Sequence, residues 1–119
     1  MRQFNLQEYF KDLGNGWRIN TITGSIFFKD EEVIFSRSSI RKVLTRLLKQ
    51  RRGFKIYAFL KSNFGTEDDF PKKENHINAW ARAMYLSVEK ILHRYGFMIK
   101  VNDGGCSKET EWSLCYADK

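Results

Sequence analysis

Residues 38–63 read SSIRKVLTRLLKQRRGFKIYAFLKSN, and how they divide decides the fold. Ile40, Val43, Leu44, Leu47 and Leu48 recur at i, i+3, i+4, i+7 and i+8, the apolar stripe of a helix with one buried face. Ser38 or Ser39 offers an N-cap and Gly53 a C-terminal stop, so a helix over about 39–52 is predicted. FKIYAFL (54–60) follows, apolar and aromatic, and reads as a strand. Period-two alternation would set Phe54, Ile56 and Ala58 on one face of it and Lys55, Tyr57 and Phe59 on the other.

Upstream, Asn5-Leu6-Gln7-Glu8 has the form of a capping box, and Leu6, Tyr9, Phe10 and Leu13 continue it as a short helix ending at Gly14-Asn15-Gly16. Three strands are then expected, WRINTI (17–22), SIFFK (25–29) and VIFSR (33–37), turned at Thr23-Gly24 and at Asp30-Glu31-Glu32. Downstream, FGTEDDFPKKEN (64–75) is a loop by composition. Asn75 would cap the longest helix, about 76–95, whose stripe is Ile77, Trp80, Ala81, Met84, Val88, Ile91, Leu92 and Tyr95. Gly96 ends it, and FMIKV (97–101) with a strand around 111–116 makes a hairpin. The expected fold class is α+β: a small, mostly antiparallel sheet packed by two main helices, with a winged-helix-like order as one arrangement. The echo between RKVLTRLLKQRRGFKIYAF and VEKILHRYGFMIKV reflects how helices end in Gly before a strand rather than a duplication.

The 119 residues fit one domain, with a single proline, Pro71, and no linker-like tract. No apolar run approaches the ~18 residues needed to span a bilayer. The first residues are mixed in charge and lack the apolar core of a secretory signal. Cys106 and Cys115 do not form a disulfide framework and are expected as free thiols of a soluble, cytoplasmic protein without a membrane partner.

The formal net charge is +7. Residues 38–63 hold eight basic side chains and no acidic one, more than the whole net charge. Lys42, Arg46 and Lys49 fall opposite the apolar stripe, with Arg41 and Arg52 flanking. Lys42 and Arg46, at i and i+4, repel by a few tenths of a kcal/mol in the free helix, yet suit a face turned to phosphates. Arg51 and Arg52 also complement the negative end of the helix dipole, and a charged helix face is often merely solvated. Arg41, Lys42, Arg46, Lys49, Arg51, Arg52 and Lys55 are the candidate nucleic-acid contacts, with Arg82, Lys90, Arg94 and Lys108 secondary. Six to eight phosphates neutralised would give a log–log salt slope of about −5 to −7.

The long helix bearing Arg82, Lys90 and Arg94, followed by a hairpin with a Gly-rich loop (102–109) containing Lys108, resembles the recognition helix and wing of a winged helix. The resemblance covers about forty residues. It implies a helix in the major groove, a wing on the backbone, and Asn75, Asn78 and Arg82 near base edges. An exposed Phe54 or Tyr57 would instead suit base stacking in a single strand.

Chemistry finds little support. His76 and His93 sit seventeen apart on one expected helix, ~25 Å at ~1.5 Å per residue, and cannot share a metal. Neither cysteine has zinc-site spacing. Glu67, Asp68, Asp69 and Glu74, beside Lys72 and Lys73, superficially resemble a nuclease cluster but occupy a loop around Pro71 rather than rigid elements. No phosphate-cradling loop or nucleophile–base pair is legible. The expectation is a DNA-binding regulator or replication accessory, not an enzyme, with no metal or cofactor. DNA is favoured over RNA, and a homodimer is compatible with its size. The rival is a small inhibitor, of viral or mobile-element type, docking its basic face on an acidic protein partner.

Overall fold

Asn15 and Gly16 both take positive φ, 54° and 92°, the pair of left-handed positions that a two-residue Asn-Gly turn supplies at the end of a hairpin. The computed structural model describes residues 9–68, 70–102 and 109–117. In it this turn joins β1 (Phe10–Gly14) to β2 (Trp17–Asn20), antiparallel, with Phe10 opposite Asn20 and Gly14 opposite Trp17. The helix expected through Leu13 is therefore a strand from Phe10 onward, and its first residues lie outside the described part. The Phe10 ring meets Phe27 edge-on at 5.3 Å and carries the Arg18 guanidinium at 5.2 Å. Such cross-strand contacts outweigh the pattern of so short a helix, which is marginal alone.

The meander continues through β3 (Ile26–Phe28) and β4 (Glu31–Glu32), giving a four-stranded sheet in sequence order. β2 stops at Asn20 rather than at Ile22, because the Asn20 side-chain oxygen accepts the amides of Ile22 (2.9 Å) and Thr23 (3.1 Å) and starts a turn. The next turn is Lys29-Asp30, so the ladder falls on Glu31 and Glu32. Of the expected strand VIFSR, only Val33 extends the pairing, through its amide to the Ile26 carbonyl at 2.8 Å.

Helix α1 (Ser38–Lys49) buries Ile40, Val43, Leu44, Leu47 and Leu48 as expected. It starts one residue early, with Arg37 as N-cap and no side-chain capping bond from Ser38 or Ser39. The following segment corrects the sequence reading most. Only Phe54–Lys55 is a strand, β5; Ile56–Phe64 is a helix, α2. Ile56, Leu60 and Phe64 repeat at i, i+4 and i+8, with Tyr57 and Phe59 buried beside them. The apolar run FKIYAFL ends at Leu60, short of Lys61, Ser62 and Asn63, which complete the polar face of the helix. The two alternating strand faces do not exist.

Helix α3 (Glu74–Arg94) starts with Lys73, not Asn75, as its N-cap. Strands β6 (Phe97–Asn102) and β7 (Glu111–Tyr116) form the expected hairpin, from Phe97 opposite Tyr116 to Asn102 opposite Glu111. β5 joins the other edge of β7, so the second sheet runs β5-β7-β6. The fold is α+β, with three helices and two small antiparallel sheets among the described residues. One apolar cluster connects all of it. Trp17 of β2, wholly buried, meets Phe28, Tyr95 and Phe97 at 4.9, 5.5 and 5.6 Å between centroids. No described helix is long and apolar enough to cross a membrane.

Two measurements test these assignments. Leu60→Ala, in the wholly buried stripe of α2, should lower stability to urea by about 2–5 kcal/mol, while Lys61→Ala on the exposed side stays within about 0.5 kcal/mol. The Tyr95 phenol donates to the Glu31 carboxylate. Burial first, then that bond, raises its pKa, while Arg94 pulls the other way. A raised phenol pKa contributes stability fully present below its unfolded value of about 10 and lost as pH rises through the folded value. In an alkaline titration followed by phenolate absorbance, Tyr95→Phe should remove a late-ionising tyrosine.

Candidate nucleic-acid interface

Burying the five apolar residues of α1 turns Lys42, Arg46 and Lys49 outward in one stripe at i, i+4 and i+7. Helix α2 flanks that stripe. The Lys42 ammonium lies 5.3 Å from the centroid of the Phe64 ring, and the Arg46 guanidinium 5.4 Å from that of Phe59. Both rings are buried, so each cation rests on an aromatic face that belongs to the core, a contact worth about 0.5–1 kcal/mol where exposed. Arg46 Nη1 also donates to Gln50 Oε1 at 2.7 Å. On the other flank Arg41 Nη1 donates to the Thr23 carbonyl at 3.1 Å, tying the β2–β3 turn to α1.

These contacts shape a groove of about 370 Å³ whose walls include Gly24, Arg41, Lys42, Arg46, Lys49 and Asn63. Beyond Arg46 it continues into a smaller recess of about 200 Å³ beside Gln50, Lys55 and Ser62. Among the described residues no carboxylate lines either stretch. The ion pairs among them, Arg18–Asp30, Lys55–Glu109 and His93–Glu89, leave the α1 cations untouched. Four lysines and arginines thus sit together without neutralisation, two of them seated on rings.

The other candidates separate. Arg51 turns inward: its Nη2 donates to the carbonyls of Leu13 (2.6 Å) and Gly14 (3.0 Å), and its Nε points at that of Leu48 (3.4 Å). It fastens the β1–β2 hairpin to the end of α1. Arg52 is exposed and shares a cleft against β1 with Lys49. Lys55 pairs with Glu109 at 2.9 Å; that hydrogen bond, and then the carboxylate's charge, raise its pKa. Arg82 and Lys90 are exposed on α3, with Leu86 midway between them. Arg94 is exposed at the end of α3, and Lys108 lies outside the described residues.

Of the residues expected near base edges, Arg82 is exposed, whereas Asn78 is half-buried with its Oδ1 unpartnered inside. Asn75 belongs to the first turn of α3. Phe54 and Tyr57 are buried, so neither offers a ring to a base. Glu67 and Asp68 are exposed in the loop after α2, and Asp69 lies outside the described residues. No group of three potential metal ligands occurs among the described residues. Cys115 is half-buried on β7, and Cys106 lies outside the described part. Gly24, Gln50 and Asn63 enter the groove without having been singled out from sequence. Asn63 is legible only once α2 is read as a helix that flanks the charge stripe.

Comparison with protein-family models, with curated proteins and with solved structures finds no match to this chain.

The two adjacent arginines should behave differently. Arg51→Ala removes charge-assisted bonds to backbone carbonyls and should lower stability by about 1.5–3 kcal/mol. Arg52→Ala should stay within about 0.5 kcal/mol. Urea titration of both variants reads the difference directly.

Proposed function

We propose that this protein binds DNA, gripping the sugar–phosphate backbone of a duplex in the groove between α1 and α2, as a small regulator or accessory of nucleic-acid transactions. The observation that carries the reading is the aligned trio Lys42, Arg46 and Lys49, two of them set on buried rings, in a groove lined by no described carboxylate. Cations held in place lose less side-chain freedom on binding, and phosphate contacts fix a protein on a duplex without reading its bases. The burial of Phe54, Tyr57, Phe59 and Phe64 supports a duplex over a single strand, since stacking needs an open ring face.

The order helix, short strand, helix, helix, strand, strand, with the final strand central in its sheet, supports a winged-helix-like arrangement. In it the exposed side of α3, with Arg82 and Lys90, forms a second contact. The α1–α2 groove holds the denser charge and is the primary one.

Arg41, Lys42, Arg46, Lys49 and Arg52 remain as phosphate contacts once Arg51 and Lys55 are committed to partners within the fold. Four to five contacts give a log–log salt slope of about −4 on duplex DNA. Binding measured by fluorescence anisotropy across a salt series should show it, and Lys42/Arg46/Lys49→Ala should flatten the slope to about −1 to −2. Unaltered binding in the triple variant would transfer the contact to α3 and the β6–β7 loop. A wild-type slope shallower than about −2 would remove the DNA reading in favour of an acidic protein partner.

A further inference from the structure

The turn between β2 and β3 reads Asn20-Thr21-Ile22-Thr23-Gly24, and Ile22, near its tip, is 67% exposed. Turns of this kind favour small polar residues, and a branched aliphatic side chain in water there does nothing for the free fold. The backbone beneath it is braced from three directions. Asn20 Oδ1 accepts the amides of Ile22 and Thr23, and the Gly24 amide donates to the Asn20 carbonyl at 2.8 Å. The Thr21 amide and hydroxyl both donate to the Tyr9 carbonyl, at 2.7 and 3.0 Å. Arg41 holds the Thr23 carbonyl. Of the exposed large apolar side chains among the described residues, Ile22, Ile34, Leu86 and Tyr116, Ile22 belongs to the turn that is pinned to α1, two residues from the groove wall at Gly24.

We infer that Ile22 is an apolar wedge that enters between adjacent bases of the bound duplex and bends it, making this an architectural binder; the inference rests on the α1–α2 groove being the DNA contact. A wedge needs an apolar side chain stiff in its rotamer, a support that does not yield, and cations beside it to hold the backbone while bases unstack. Ile22, the braced turn and the stripe from Arg41 to Lys49 supply these in adjacent positions. Unstacking a step costs a few kcal/mol, and the bend repays it by bringing more backbone against the cations.

The test is a duplex carrying a donor dye at one end and an acceptor at the other, bound by wild type, Ile22→Ser and Ile22→Leu. Anisotropy on the same samples reports binding, and thermal melts confirm that the exposed substitutions leave the fold intact. Wild type should raise energy transfer between the ends, and Ile22→Leu should retain that rise. Ile22→Ser should keep the salt slope, bind about tenfold more weakly and lose the rise in transfer. Binding by wild type with transfer unchanged, or a bend by Ile22→Ser equal to wild type, overturns the wedge while leaving the DNA reading in place. No anisotropy change with any protein overturns the DNA reading, and the wedge with it.

Discussion

The packing of Trp17 is what the rest of the molecule depends on. Its indole, with no exposed surface, touches Phe28 from its own sheet, Tyr95 at the end of α3 and Phe97 on the second sheet. A meander of short strands is not stable without a layer to cover one face. Trp17 provides that junction, and edge-on aromatic contacts add to the area it buries. The indole N–H is buried without a partner, a cost of about 1–3 kcal/mol that the fold carries in exchange for this contact. With the meander fixed in this way, the β2–β3 turn comes to rest against α1, and the groove acquires its second wall.

Helix α1 serves both sides of that arrangement. Its apolar stripe enters the core, and its cations do not simply point to solvent. Phe59 and Phe64 are core residues on one face and cation seats on the other, so packing and charge placement are two aspects of one helix pair. No ion pair to a described carboxylate offsets the like-charge repulsion along Lys42, Arg46 and Lys49. A partner carrying negative charge would relieve it.

What could be read from sequence divides along the range of the interactions involved. α1, α3 and the β6–β7 hairpin were legible because their apolar periodicity and turn glycines act within a few residues. The basic stripe of α1 was legible for the same reason. Residues 10–14 were misread because their pattern suits a helix, while the contacts that decide, Phe10 with Phe27 and Arg18, are cross-strand. The Asn15-Gly16 pair suits a helix stop and a hairpin turn alike, so the local sequence does not choose between them. FKIYAFL was misread because its helical stripe completes only at Phe64, beyond the apolar run. The diversion of Arg51 to Leu13 and Gly14, and of Lys55 to Glu109, spans 37 to 54 residues. Nothing local distinguishes those side chains from Arg52 or Lys49.

The place of β7 governs the order in which the second sheet can exist. β5 and β6 hydrogen-bond to β7 and not to each other, and Phe54 finds its strand partner only at Trp112. On the ribosome, therefore, two strands emerge before the one that joins them. Until residues 111–116 are made, neither β5 nor β6 has its strand partner, and the loop closed between β5 and β7 encloses both α2 and α3. The chain entropy of that closure falls on a late step. The last layer is completed only once residues 111–116 are free to pair with both Phe54–Lys55 and Phe97–Asn102.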